Sequence, residues 1–296
     1  MGTVEDLTEL RAYVNRHSVR SAAAPNAVNS TNDRYYEAAL DGLTPSPAVS
    51  YLLNLTDMTL KDYRSIGAYN AMNIAASIAA NRAMEEIENS LTVHLPEPRS
   101  FRTRLSRAID ERRSVRTFAD SLVSASALSS WIFWSLGLTT RQQTFRDVRV
   151  PARAYAASGG GLYPITTWFL IDRVSDMSCG VYRYQPYSHT LYPRLGEEHD
   201  LETLFPGGAF DLAHAGGAVL YELDLDRVLM KYGDLSLLTG LVELGNMTHS
   251  LELNGLPCGI GSCQVAGFDK AYAQDLLGLD GVNSHVVFTQ VFGRRG

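Results

Sequence analysis

The stretch "AYAASGGGLYPITTWFLI", residues 154–171, places three consecutive glycines directly before an apolar run. Glycine has no Cβ, so it is used where a chain turns sharply or where backbone must approach a ligand closely. The apolar run that follows predicts a buried strand. The triple glycine, Gly159, Gly160 and Gly161, therefore predicts either a turn into that strand or a binding site for a flat or phosphorylated ligand. These residues alone favour the turn.

The composition limits the class of protein. Of 296 residues, 45% are apolar and 20% are charged, which is typical of a soluble globular protein. The net charge of −6 provides no basic surface, so nucleic acid is not expected as a partner. Cys179, Cys258 and Cys263 are odd in number and lack C-x-x-C spacing. They indicate a reducing cytosol and neither a disulfide framework nor a zinc site.

Two segments bear on location. The N-terminal residues 1–18 include acids and lack an apolar core, so they do not resemble a signal peptide and a cytoplasmic protein is expected. Residues 121–140 carry no charge, but they are rich in serine and their apolar positions cluster at helical spacing. This pattern favours a surface or interface helix over a membrane span, and no membrane partner is predicted.

Helical and strand patterns alternate irregularly along the chain. Residues 56–91, 102–114, 121–140 and 235–256 have helical spacing, and residues 139–151 indicate a polar turn. Strands are predicted in residues 162–173, 179–195 (two strands joined near Pro186), 216–224 and 284–293. We expect an α+β fold with a central mixed or antiparallel sheet flanked by helices. Residues 1–100 are interpreted as a partly helical N-terminal extension, whose helix either contacts a partner or second subunit or is an ordinary packing helix, and residues 101–296 as a separate domain.

Several familiar motifs are excluded by spacing. "GIGSCQVAG", residues 259–267, begins like a dinucleotide fingerprint, but Gln264 stands where the third glycine should be. Ala156 stands where a nucleophile elbow has its first glycine. No Walker loop is present, and the histidines never form an H-x-x-x-H pair. Neither a metal centre nor a serine hydrolase is predicted.

Four short patches carry candidate chemistry. "ERRSVRTF" (111–118) offers arginine forks and a serine that suit a phosphate, although a solvated basic helix end is the simpler interpretation. "SGGGLYP" (158–164) offers consecutive backbone N–H groups. "GLPCGIGSC" (255–263) is either a close backbone approach or a helix C-cap. "FGRRG" (292–296) is either further positive charge for the same ligand or a solubilising tail.

The order of these patches resembles the nitroreductase superfamily and, more narrowly, its SagB/McbC-type azoline dehydrogenases. The matching blocks are R-R-S-x-R, S-G-G-G-L-Y-P, K-Y followed by an E-x-G helix, C-G-I-G-S-C-Q-V-A-G-F-D and V-F-G-R. The family comprises flavin enzymes that act in the biosynthesis of ribosomally made peptide natural products, antibiotics among them. The resemblance covers residues 105–296 well and residues 1–100 loosely.

The resemblance implies a nitroreductase-like, FMN-binding fold and an obligate homodimer with flavin at the interface. It implies that the phosphate is held by Arg112, Arg113, Ser114, Arg116, Arg294 and Arg295. It implies that the isoalloxazine ring contacts Ser158, Gly159, Gly160, Gly161 and Leu162. It also implies that Gly259, Ile260, Gly261 and Ser262 approach the ring or its phosphate arm. On this basis the triple glycine is interpreted as a cofactor contact.

The implied reaction is oxidation of a thiazoline or oxazoline ring in a precursor peptide to the aromatic azole, with O2 reoxidising the flavin. The ring loses a proton to a general base and a hydride to the flavin. Lys231 and Tyr232 stand where the family has its catalytic Lys-Tyr pair, and they are assigned base or proton-relay roles. Desolvation or nearby arginines would lower the lysine pKa. "MKYGD" by itself would instead indicate a surface lysine and a packing tyrosine.

Alternatives remain open at the level of sequence. One is an NAD(P)H-dependent nitro or quinone reductase; another is a flavin-free scaffold subunit of a peptide-modifying complex. Leu238 and His249 depart from residues that relatives often carry, while Glu243 remains and is interpreted as structural. A cyclodehydratase is a further expected partner.

Overall fold

The computed structural model describes residues 85–138, 143–145, 148–150 and 156–296 together with Tyr51, Arg64, Ile66 and Gly67; in 143–145, 148–150 and at Met230 only the backbone is described. The chain forms two compact units, residues 1–58 and 59–296, and the elements below all belong to the second. Most of the predicted extension 1–100, including most of its helix at 56–91, lies outside the described residues. The predicted boundary near residue 100 stays a prediction.

A seven-stranded sheet forms the centre of the second unit. The strands of the described chain are β1 Val93–His94, β2 Gln143–Phe145, β3 Val148–Val150, β4 Ile165–Ile171, β5 Gly180–Gln185, β6 Thr190–Arg194, β7 Ala215–Asp224, β8 Ile260–Val265 and β9 Ser284–Arg294. All but β2 and β3 form this sheet, in the order β1-β6-β5-β4-β7-β9-β8, and every neighbouring pair in it is antiparallel. The α+β prediction is confirmed, and of its two sheet types the antiparallel one is present.

Helices cover both faces of the sheet. They are α1 Leu105–Glu111, α2 Ala125–Leu136, α3 Leu201–Leu204, α4 Asp226–Tyr232, α5 Ser236–Cys258 and α6 Lys270–Leu277. On one face, α2 and α5 pack against the sheet through a core that includes Trp131, Leu251 and Phe292. On the other face, α3 and α6 bury a second core around Leu204 and Leu277. The sheet is therefore the middle layer of three.

Two local predictions were wrong. Residues 85–91 form turns and irregular backbone, because Glu86 accepts hydrogen bonds from backbone N–H groups of the β5–β6 hairpin and Ile87 N–H donates to Gln185. The polar turn predicted for residues 139–151 contains a two-stranded ladder, β2 with β3, in which Phe145 lies opposite Val148. β-Branched and aromatic residues favour such a ladder even within a polar stretch.

The uncharged segment 121–140 contains α2, whose serine hydroxyls are engaged with backbone carbonyls. Ser130 donates to Ser126 O at 2.8 Å, and Ser135 donates to Ser250 O at 3.3 Å. Trp131 of α2 donates its indole N–H to Leu251 O of α5 at 2.7 Å, which ties the two helices together. Within the described residues, no helix combines the length and apolarity that a membrane crossing requires.

Candidate functional site

The triple glycine and the end of α4 meet at one point. Gly159–Gly161 form a 3-10 turn just before β4, and Lys231 and Tyr232 are the last residues of α4. Gly160 has a φ of 62°, in the left-handed region. A Cβ on Gly160 would lie 2.5 Å from the hydroxyl oxygen of Tyr232 and closer still to Nζ of Lys231. Glycine leaves both side chains where they are, whereas a Cβ would displace them, so the turn and the predicted catalytic pair form one cluster.

Burial shifts the pKa values of the Lys-Tyr pair in opposite directions. Lys231 is 7% exposed, and burial lowers the pKa of its ammonium group. Burial also raises the pKa of Tyr232, whose ring centroid lies 5.3 Å from Nζ of Lys231. Because loss of solvent disfavours each charged form, the lysine gives up its proton more readily and the phenol keeps its own. The lowered lysine pKa that the sequence predicted therefore comes from desolvation.

The residues around Gly160 in this turn differ in how closely other atoms pack against them. A Cβ on Gly159 would lie 3.2 Å from Cβ of Thr239, in the first turns of α5. Ser158 accepts the backbone N–H of Tyr163 through its hydroxyl at 2.9 Å, and the side chain of Leu162 is fully buried. At Gly161, with a φ of 69°, no described atom lies within 4 Å of the position that a Cβ would take. The open backbone of this turn is therefore at Gly161.

A second cluster forms where the "ERRSVRTF" segment meets β8. Ser114 pairs with Ser262 in an isolated parallel bridge, and Val115 N–H donates to Ser262 O at 2.9 Å. A Cβ on Gly261 would lie 2.7 Å from Cγ1 of Val115, so glycine at 261 permits this approach. Ser114 and Arg116 remain exposed beside the bridge. Two of the predicted phosphate-binding patches are thus adjacent.

The C-terminal arginines join the same cluster at the end of α5. Gly259 is the left-handed C-cap of α5, with a φ of 63°. A Cβ there would lie 2.6 Å from a guanidinium nitrogen of Arg294, and Arg295 N–H donates to Gly259 O at 3.0 Å. The Arg294 guanidinium therefore lies at the helix C-terminus, where positive charge is favourable.

The first arginines of the cluster are partly engaged within the chain. Arg112 contacts the buried carboxylate of Glu252 at 3.4 Å. Arg113 donates through Nη1 of its guanidinium group to the carbonyls of Asp110 and Arg112, each at 2.7 Å, and so caps α1. Arg295 reaches Glu111 O at 3.5 Å. Positive charge from two chain segments, 112–116 and 294–295, is thus concentrated beside exposed Ser114.

The two clusters lie at opposite ends of α5. Thr239 faces the glycine turn, and Glu252, thirteen residues later, contacts Arg112. At 1.5 Å rise per residue this separation is about 20 Å along the helix. Within one copy of the described chain, the predicted ring contacts and the predicted phosphate contacts are therefore well apart.

Sequence reasoning missed Thr239 and Glu252, because a helix interior gives no signal for either contact. It placed Glu243 as structural, and Glu243 is 2% exposed and accepts Ile165 N–H at 3.3 Å. Leu238 and His249, the two departures from the family pattern, are both substantially exposed on α5.

One group of described side chains brings metal-ligating atoms within 4.8 Å of one another: Asp172, Cys179 and His199. Asp172 accepts from the thiol at 3.3 Å and from Nε2 of His199 at 2.9 Å. Burial, then the hydrogen bond to Asp172, raise the pKa of Cys179 to about 11, so the thiol stays a donor. A metal on Nε2 would need an acceptor for Nδ1–H, and Nδ1 has no hydrogen-bond partner among the described residues. The group is a hydrogen-bonded triad.

Comparison with known proteins identifies the family. The nitroreductase family model matches residues 109–294, which is more than half of the chain. The chain belongs to the nitroreductase family. It is 25% identical over 191 residues to a protein of Methanocaldococcus jannaschii named as a nitroreductase, covering 64% of this chain and 90% of that protein.

Two solved structures share the nitroreductase fold of this chain. A protein of Ralstonia eutropha named as a nitroreductase superposes with a TM-score of 0.57 and 18% identity, covering 70% of this chain and 90% of its own. A chain of the Escherichia coli microcin synthetase McbBCD complex, solved with truncated pro-MccB17 bound, superposes with a TM-score of 0.53 and 18% identity. That match covers 86% of this chain and 99% of the microcin synthetase chain. The nitroreductase-like fold predicted from the sequence is confirmed.

The nitroreductase family binds FMN, and the two clusters suit its two ends. Exposed Ser114 and Arg116, with the nearby guanidinium groups, match a phosphate dianion in charge and hydrogen bonding. The open backbone at Gly161 leaves space for a flat ring. These residues fit the cofactor.

Proposed function

We propose that this nitroreductase-family protein is an FMN-dependent azoline dehydrogenase, which oxidises thiazoline or oxazoline rings in a ribosomally made precursor peptide. The observation that carries the proposal is the convergence of Lys231 and Tyr232 on Gly160. A desolvated lysine with a lowered pKa, next to a protonated phenol and an open backbone turn, suits proton abstraction beside a flat hydride acceptor. Reduction of a nitro group or quinone has no need of a general base that removes a carbon-bound proton.

Lys231 and Tyr232 have different roles in the proposed ring oxidation. Lys231 takes the proton from the ring carbon next to the peptide carbonyl in its neutral form, which burial favours by lowering its pKa. The Tyr232 hydroxyl donates a hydrogen bond and can relay that proton onward. Bound FMN supplies the acceptor for the hydride that leaves the neighbouring ring carbon. The ring thus loses one proton and one hydride, and the C=N–C=C system of the azole results.

The functional unit in this proposal is a homodimer. The ribityl chain that joins the flavin ring to its phosphate is shorter than the ~20 Å between the two clusters along α5. A second copy of the chain would bring its phosphate cluster to the glycine turn of the first. One flavin would then contact Gly161 of one subunit and Ser114, Arg116 and Arg294 of the other.

A peptide substrate and a larger complex are consistent with the microcin synthetase match. That match extends over 86% of this chain, whereas the Ralstonia eutropha match covers 70%. The longer match includes more than the family domain at 109–294. We therefore propose that residues 1–100 serve the precursor peptide or a cyclodehydratase partner.

The first test is the visible absorbance spectrum of the purified protein. We expect flavin bands and FMN release on denaturation, followed by turnover of an azoline peptide. Lys231→Ala should retain FMN and lose about a hundredfold or more in kcat, the usual contribution of a general base. Exposed Lys270→Ala is the matched control and should behave as wild type. If the purified protein is colourless and does not bind added FMN, the result would support a flavin-free scaffold subunit instead.

A second candidate function is an NAD(P)H-dependent nitro or quinone reductase. It is favoured by the names of the Methanocaldococcus jannaschii and Ralstonia eutropha proteins. Rapid bleaching of the flavin by NAD(P)H, with no oxidation of an azoline peptide, would establish it. In that case Lys231→Ala should leave the rate of nitro reduction nearly unchanged, because no carbon acid is deprotonated.

A further inference from the structure

A cavity of about 110 Å³ opens where β4 and β5 separate. The pairing of the two strands ends at Trp168 and Arg183, although β4 continues to Ile165. Continuing the register would place Pro186 opposite Ile165, and proline has no N–H to donate. The Ile165 N–H is accepted by Glu243 of α5 instead, at 3.3 Å. The cavity is therefore built into the sheet by the sequence of the β5–β6 turn.

The size of the cavity limits its occupant. An apolar cavity of ~150 Å³ takes one benzene molecule, so a cavity of about 110 Å³ holds a single smaller group. A branched aliphatic side chain or one five-membered ring fits; a length of peptide does not. Its walls are mostly apolar and hydroxyl-bearing, and they include Leu136, Ala156, Ile165, Thr166, Thr167 and Met247.

The charged side chains at the rim are engaged with one another or with backbone. Arg227 pairs with Asp224 at 2.7 Å and with Glu85 at 3.5 Å. Glu86 accepts two backbone N–H groups of the β5–β6 hairpin, at 2.7 and 2.8 Å. Arg183 donates to the carbonyl of Glu85 at 3.3 Å. Glu243 is likewise engaged, by the Ile165 N–H. Each charged side chain at the cavity therefore already has a partner within the protein, and the three carboxylates disfavour an anion, so an uncharged occupant suits the cavity best.

The cavity adjoins the Lys-Tyr cluster through shared elements. Arg227 at the rim lies four residues before Lys231 on α4, and Glu243 lies four residues after Thr239 on α5. Residues four apart share a helix face, so these two lining residues stand one helical turn from the neighbouring cluster residues on α4 and α5. β4 begins at the end of the glycine turn and lines the cavity with its first residues.

We propose that this cavity is a specificity subsite for a small uncharged side chain of the peptide, that of the residue preceding the azoline ring. The inference rests on the proposed azoline dehydrogenase function. In an azoline the preceding residue is attached at C2, across the ring from C4 and C5, where the proton and hydride leave. With C4 at Lys231, the group on C2 extends away from the lysine, and the adjoining cavity receives it.

Substrate discrimination by the holoenzyme tests the subsite. Azoline peptides with glycine, valine or glutamate before the ring would be compared for kcat and KM. Wild type should accept glycine and valine and disfavour glutamate by tenfold or more in kcat/KM. Ala156→Leu fills the cavity and should raise KM for the valine peptide about tenfold or more, while the glycine peptide stays within about twofold. Thr166→Leu, at a half-buried position in the cavity wall, should raise KM for the valine peptide in the same way. This second variant keeps the subsite testable if Ala156→Leu fails to fold.

The matched control is Ala157→Leu, the same change at an exposed neighbour that does not line the cavity. It should leave the valine-to-glycine ratio unchanged. Equal losses for both peptides in Ala156→Leu and Thr166→Leu would overturn the subsite.

Binding without turnover separates this inference from the proposed function. Ligand-observed NMR with 2-methylthiazole should show saturation transfer from wild type and from Ala157→Leu, and a loss of that signal with Ala156→Leu. If no azoline peptide is oxidised but this pattern holds, the cavity is a small-group subsite and the dehydrogenase function is wrong. If the probe binds Ala156→Leu as well as it binds wild type, the subsite is wrong whatever the enzyme oxidises.

Discussion

At the scale of single residues, Gly160 and Gly161 offer a matched pair of substitutions. Both have positive φ values, 62° and 69°, so alanine at either position costs about 1 kcal/mol of backbone strain. Only at position 160 would the new Cβ collide with Lys231 and Tyr232. We expect Gly160→Ala to lower kcat for an azoline peptide by about a hundredfold, since the general base is displaced.

Urea denaturation and steady-state kinetics check this pair together. Both variants should lose similar unfolding free energy, while Gly161→Ala should keep a far higher kcat per bound flavin than Gly160→Ala. Equal kcat values in the two variants would show that the position of Lys231 against Gly160 is not needed for turnover.

His189 predicts a pH dependence of stability. Its Nε2 lies 2.9 Å from the Ser129 hydroxyl and its Nδ1 lies 3.1 Å from the Tyr184 hydroxyl; burial lowers the pKa of His189 to about 4. In the unfolded state the histidine pKa is ~6.5, so on acidification the unfolded chain binds a proton at this side chain before the folded protein does. The contribution of His189 to the unfolding free energy is therefore complete above about pH 6.5 and is lost as the pH falls toward 4. The loss is at most about 3 kcal/mol.

The measurement is the unfolding free energy of wild type and His189→Asn at pH 7 and pH 4.5. Asparagine tolerates the positive φ of 53° at this position and does not titrate. The variant should be less stable at pH 7 but should lose less on acidification. Parallel loss in both proteins would assign the acid sensitivity to other groups.

At the scale of secondary-structure elements, two helices end in the same way. Gly259 is the C-cap of α5 and lies close to the guanidinium group of Arg294, and Gly278 is the C-cap of α6 and lies close to that of Arg194. Nε of Arg194 also donates to Leu276 O at 2.7 Å. Arg194 satisfies a C-terminal carbonyl of α6, and each of the two arginines opposes the negative end of a helix dipole. We expect Arg194→Ala and Arg294→Ala each to lower the unfolding free energy by about 1 kcal/mol.

Flavin binding distinguishes the two caps. Only Arg294 belongs to the proposed phosphate cluster, so Arg294→Ala should weaken FMN about tenfold or more and leave riboflavin, which lacks the phosphate, unchanged. Arg194→Ala should alter neither affinity. Isothermal titration of the apoprotein with both flavins measures this, and a parallel loss of FMN and riboflavin in Arg294→Ala would make Arg294 a cap only.

The elements also show how far the sequence determines the structure. The apolar run at 162–171 predicts β4, and strict alternation around Pro186 predicts the β5–β6 hairpin, because periodicity is local information. The turn at 85–91 depends on Glu86 reaching distant backbone N–H groups, which no local pattern encodes. The convergence of Lys231 on Gly160 was likewise inaccessible from spacing; the family resemblance supplied the residues but not their contact.

At the scale of the whole molecule, the exposed apolar stripe of α5 predicts where a second copy docks. Leu238, Leu241 and Val242 are 44%, 43% and 58% exposed and lie at helical spacing on one face. This face runs along the helix that separates the two clusters. Burying it against a second copy would remove apolar surface from water and bring the clusters of two chains together.

Leu241→Glu tests this arrangement, because a carboxylate at the centre of an apolar interface is costly to bury. We expect sedimentation analysis to give a dimer for wild type and a monomer for the variant, and we expect the monomer to lose FMN because the two clusters of a single copy lie too far apart to hold one flavin. Val282→Glu, the same change at a 70% exposed apolar residue outside α5, should stay dimeric and yellow. A Leu241→Glu protein that is monomeric yet retains FMN would show that one chain holds the whole flavin. The ~20 Å separation along α5 would then have to be closed within a single subunit.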